Sequence, residues 1–309
     1  MKSGITALFT ILFNICFAQN RIDSTTIGDV KLTVDAPPAF ANDTTMIIFY
    51  ALPNGNTTAQ TMGKRLQPGD DWHFDIQHIA AQTAFVRMQL SEKNIVVIYL
   101  ENEQKSWPFW KRKHSENYKT LIREIVDSSM AVVPGQVKQV QLNGHSGGGS
   151  FIFGFLDVCS SIPSFVNRIS FIDSNYGYEE KYYPLLKQWL QNVPGATLTV
   201  MAYNDSVALY QGKRIVSDTG GTWHRSHLMY HDLSHDFSLS IESNDEMMQA
   251  WNDERTIGIF LKENADRGIL HTQQVERNGF IHSILFGTTH ENKQYCYYCE
   301  RAYNHLIKD

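Results

Sequence analysis

The chain has 309 residues, with 27 Lys and Arg against 32 Asp and Glu, a formal charge of −5 and 42% hydrophobic residues. That length supports a sizeable core, and the hydrophobic fraction excludes an intrinsically disordered chain. The acidic balance, with no dense Lys/Arg stripe, excludes an electrostatic footprint for nucleic acid.

In chain order, Lys2, the apolar run 5–17 and the small residues Cys16 and Ala18 read as a signal peptide cleaved after Ala18. The run is too short to span a bilayer, and no internal run is long and apolar enough to do so. Ile15 is too bulky before Cys16 for lipid-anchor cleavage. The mature chain, at −6 once Lys2 is lost, is therefore expected to be exported, to a periplasm or out of the cell. Alternation over 27–34, closed by Pro37-Pro38, predicts an edge strand. Continuous apolar runs at 46–52 and 94–100 predict buried strands, the first ending in the turn Pro53-Asn54-Gly55-Asn56. Helical periodicity follows at 118–130, a strand at 137–142, a helix at 150–158, a strand at 168–172, a helix at 183–190 and a strand at 198–203. A last strand is expected at 269–275 and a closing helix at 294–307. Strands alternating with helices predict an α/β fold, with a mostly parallel sheet flanked by helices. Residues 206–267 break this rhythm and read as a helical, cap-like insertion before the last strand.

The chemistry is carried by Gly144-His145-Ser146-Gly147-Gly148, a G-x-S-x-G pattern between a predicted strand and a predicted helix. A turn that sharp holds Ser146 in a strained conformation with its hydroxyl above the sheet, and side chains at 144 and 148 would collide with neighbouring backbone. The following helix aims its N-terminal N–H groups at the site, with Gly147 as first oxyanion donor. The run lacks the Lys-Ser/Thr ending of a phosphate-binding loop.

On these residues the sequence resembles the α/β-hydrolase superfamily, and within it an exported bacterial serine esterase. The resemblance implies a Ser–acid–His triad in that chain order. For the acid, Asp205 follows the strand at 198–203, with Asp173 as the alternative one strand earlier. For the base, His282 follows the expected last strand, with His290 as the alternative. The loop after the strand at 46–52 places Asn56, or its neighbour Thr57, as second oxyanion donor. His145, Trp107 and Trp110 are candidate substrate-binding residues, the tryptophans because aromatics at the C-terminal edge of a sheet can stack on a sugar or aromatic acyl group.

His224, His227, His231 and His235 recur at helical spacing, but no Glu completes a zinc-protease pattern, so no metal is assigned. Cleavage leaves Cys159, Cys296 and Cys299, an odd count in which the C-x-x-C pair can form a local bridge or stay as two thiols. The reading is residues 1–18 as leader and 19–309 as an α/β-hydrolase domain. It needs no cofactor and cleaves a small-molecule or carbohydrate carboxylic ester through an acyl-enzyme. An amidase or peptidase of the same fold, and a non-catalytic binder, remain as alternatives.

Overall fold

A computed structural model describes residues 21–309, so the expected leader lies outside the described residues. The first half of the chain forms β1 (Arg21–Ile27), β2 (Val30–Ala36), β3 (Thr44–Ala51), α1 (Thr58–Met62), α2 (Ile79–Gln89), β4 (Asn94–Asn102), α3 (Trp107–Lys113), α4 (Tyr118–Val132), β5 (Val137–His145) and α5 (Gly149–Leu156). The second half forms β6 (Val166–Ile172), α6 (Tyr183–Asn192), β7 (Thr197–Tyr203), the two-residue strands β8 (Leu209–Tyr210) and β9 (Lys213–Arg214), α7 (Thr222–Ser234), β10 (Ser240–Ser243), β11 (Met247–Trp251), β12 (Ile257–Lys262), α8 (Gln273–Glu276) and α9 (Gly279–Leu285).

The main sheet runs β1-β2-β4-β3-β5-β6-β7-β12-β11-β10. Its centre, β4-β3-β5-β6-β7-β12, is parallel, and antiparallel strands close both edges. Central strands are covered on both faces, which explains their unbroken apolar runs. Successive side chains alternate between faces. Ile47, Phe49 and Ala51 of β3 join Trp107, Ile122, Phe151 and Leu186 from α3–α6 on one side. Met46, Ile48 and Tyr50 join Ile79, Phe85, Phe280 and Ile284 from α2 and α9 on the other. This is the α/β-hydrolase fold, and no helix among the described residues is long and apolar enough to cross a membrane.

Two sequence expectations are corrected. Residues 269–275 are not a strand but a loop entering α8, and the last strand of the sheet core is β12, inside the 206–267 insertion. Ile257, Ile259, Phe260 and Leu261 are buried strand positions whose continuous apolar run resembles a helix segment by periodicity alone. The 294–307 tail is built from turns and one 3-10 turn, Asn304–Leu306, and is bridged by a Cys296–Cys299 disulfide. Cys159 is a half-buried free thiol, pushed up to about 11 by burial.

Candidate active site

The loops that follow the C-terminal ends of the parallel strands meet at one edge of the sheet, where open α/β folds bind ligands. Ser146 follows β5 directly, with φ of 56°, in the left-handed region that strains a non-glycine residue. The strain is enforced by packing: a Cβ on Gly148 would run into the Ala51 carbonyl, and one on Gly144 would meet the Gly148 carbonyl carbon at 2.9 Å. A one-turn 3-10 helix, Ser146–Gly148, leads into α5. The Gly147 amide therefore sits in the first turn, where no intrahelical acceptor exists. Ser146 opens on a cavity of about 340 Å³ walled by Gly147, Phe153, Tyr176, Lys111 and Tyr182.

Asp173 follows β6, also in a left-handed conformation with φ of 44°. It is fully buried, and its Oδ2 is hydrogen-bonded to His271 Nδ1. His271 lies on the loop between β12 and α8. His145 holds that loop: its buried Nε2 donates to the His271 carbonyl at 3.1 Å, and the two rings lie 4.5 Å apart. The carbonyl can only accept, so His145 is the Nε2–H tautomer. Burial and the neighbouring His271 hold it well below the usual histidine range. A carboxylate can only accept, so His271 Nδ1–H is the donor. The Ser146–His271 hydrogen bond is not among those formed by the described residues, and catalytic contacts are often long before substrate binds.

Asp205, at the end of β7, serves the N-terminus of α7. Its carboxylate accepts from the amides of Thr222 at 2.8 Å and Trp223 at 3.3 Å. Burial and the Asp173 charge push it up to about 6. Thr222 Oγ1 bridges the two carboxylates, bonded to Asp173 Oδ1 and 3.3 Å from Asp205 Oδ2.

The other expected site residues lie elsewhere. His282 is on α9, fully buried, stacked on Tyr297 and hydrogen-bonded through Nδ1 to Tyr295 Oη at 3.0 Å. Burial first, then Arg255 and Arg168, lower it to about 3, so it is a neutral core group. It makes no bond to Asp205. His290 lines a cavity at the opposite edge of the sheet. Trp107 and Trp110 do not face the cavity. Both are fully buried, Trp107 against Phe151 and Trp110 with Nε1 on Asp29 at 2.6 Å. The Ser-Trp-Pro run starts a helix instead, capped by Ser106, which turns both indoles inward. Trp107→Ala is expected to lower unfolding free energy by about 3–5 kcal/mol, read from urea midpoints.

The Asn56 amide closes a turn onto Pro53 O at 3.4 Å, and Thr57 N is taken by Gln60 Oε1 at 2.8 Å in a capping box. The loop nevertheless reaches the elbow through Asn54, whose side chain fills the space a Gly147 Cβ would occupy. Gly55 N donates to Lys105 O at 2.8 Å, whereas the Asn54 amide has no acceptor among the described residues. His271 and Asn54 are thus the two groups the sequence reading missed. The order Ser146, Asp173, His271 would have selected the first had β12 been read as the last strand.

His224, His227 and His231 lie along α7 and His235 caps it. Among the described residues no group of three or more His, Cys, Asp or Glu is placed to hold a metal ion.

In comparisons with solved structures the chain is similar to siderophore hydrolase EstA from Aspergillus nidulans, at 12% identity and a TM-score of 0.47, covering 91% of this chain and 99% of that one. It is similar to poly(aspartic acid) hydrolase-1 from Sphingomonas sp. KT-1, at 14% and 0.42, covering 70% and 86%. A glucuronoyl esterase from Solibacter usitatus follows at 10% and 0.38, covering 80% and 81%. No family model matches the chain, and no curated protein matches it. The fold assignment rests on the sheet order and the strand–elbow–helix unit.

Proposed function

We propose that the protein is a serine hydrolase that cleaves a carboxylic ester through an acyl-enzyme. The observation that carries this reading is a left-handed Ser146 at the strand end, next in the chain to His145, which holds the loop whose imidazole, His271, is already bound to a buried carboxylate. Ser146 Oγ attacks the carbonyl while His271 Nε2 takes its proton. Asp173 keeps Nδ1 protonated and stabilises the imidazolium that forms. The Gly147 and Asn54 amides hold the oxyanion. His271 then returns the proton to the leaving alkoxide, and a water deprotonated by the same nitrogen releases the acid. Small cavity volume and a wall mixing Tyr176, Tyr182 and Phe153 with Lys111 support a short polar acyl or carbohydrate ester. Export belongs to the same reading, supported by the leader-like residues 1–18 and the Cys296–Cys299 bridge.

Ser146→Ala is expected to remove p-nitrophenyl acetate turnover, and a fluorophosphonate probe is expected to label Ser146 in the parent protein and not the variant. A folded variant with the parent's rate would overturn the reading.

A further inference from the structure

At the edge of the sheet opposite Ser146, the N-terminal ends of the parallel strands and the turn after α9 enclose a second cavity of about 390 Å³. We infer that this cavity is a binding site for a small multivalent oxyanion, held by Arg168 and Lys93. Arg168 lies near the start of β6 with only 8% of its surface exposed. Its guanidinium donates to the Phe286 carbonyl at 2.7 Å and the Ser283 carbonyl at 3.4 Å, which close the last turn of α9. Lys93, half-buried before β4, donates to the neutral Gln139 Oε1 at 3.1 Å. Every hydrogen-bond acceptor of these two cations is uncharged.

Two desolvated like charges facing one space are unfavourable unless an anion joins them. The strain registers in the groups themselves: burial lowers Arg168 to about 10, and burial together with Arg168 lowers Lys93. Nearby carboxylates relieve it only in part: Glu92 acts on Lys93 and Glu291 on Arg168, but burial outweighs both. Arg255 is ion-paired with Glu291. Glu92 and Glu254 are exposed, and Glu254 accepts from Asn252 Nδ2 at 2.9 Å. A planar guanidinium with free N–H groups beside a point-charge ammonium suits a tetrahedral oxyanion, which can accept from both at once.

The test is calorimetric titration of the whole chain with inorganic phosphate at fixed ionic strength, with chloride and acetate as parallel arms. Saturable phosphate binding is expected, weakened at least tenfold in Lys93→Gln and in Arg168→Gln. The half-buried Lys93 is the variant that decides if Arg168→Gln does not fold. Ser146→Ala should bind phosphate as the parent does, so this site and the proposed catalysis stand or fall separately. Binding that is absent, equal for chloride, confined to acetate, or unchanged in Lys93→Gln would overturn the assignment.

Discussion

His271→Ala is expected to lower kcat/KM for p-nitrophenyl acetate by about 10⁴- to 10⁶-fold, whereas His282→Leu should leave it within about tenfold. Among the described residues, His271 carries a buried carboxylate on Nδ1 and lies on a loop held by His145 of the elbow. His282 belongs to the fold, and its signature is acid sensitivity. With its folded value near 3 against an ordinary 6.5, the unfolded chain binds a proton that the folded chain refuses throughout that window. Stability from this group is complete above pH 6.5 and falls by about 1.4 kcal/mol for each unit as pH drops toward 3. The leucine variant should lose that slope in urea titrations across the window. A folded His282→Leu protein without turnover, beside an active His271→Ala, would reverse the assignment.

Asp173→Asn should reduce kcat by about 10⁴-fold with the fold intact, because an amide NH₂ facing Nδ1 selects the wrong imidazole tautomer. Asp205→Asn should stay within about tenfold, since its amide oxygen can still accept from the Thr222 N–H. Single-turnover rates of both variants, with circular dichroism as the folding check, separate the two. Equal losses would mean that the carboxylates act as one unit through Thr222.

The elbow at Ser146 was legible because its requirements are local: a strand, a strained turn and glycines packed against Ala51 and against each other. Parallel strands were legible from their unbroken apolar runs. His271, the base of the proposed reading, was not, because histidine assignment depends on where the last strand ends. Residues 257–262 carry the same apolar pattern as a buried helix segment. The choice between Asp205 and its alternative Asp173 is open in the sequence for a related reason. Both Asp173 and Asp205 end strands, and only the tertiary position of His271 distinguishes them. Trp107 and Trp110 illustrate a third limit. A Pro-containing aromatic run looks like a loop, yet Ser106 and Pro108 make it a helix start, and the indoles then point into the core.

Thr222, the first residue of α7, is hydrogen-bonded to the carboxylate that holds the His271 imidazole. The start of α7 is thus tied to the Asp173–His271 pair. On the proposed reading, a ligand that shifts α7 is expected to shift the Asp173 carboxylate and the His271 ring it holds, and to be felt as a change of rate.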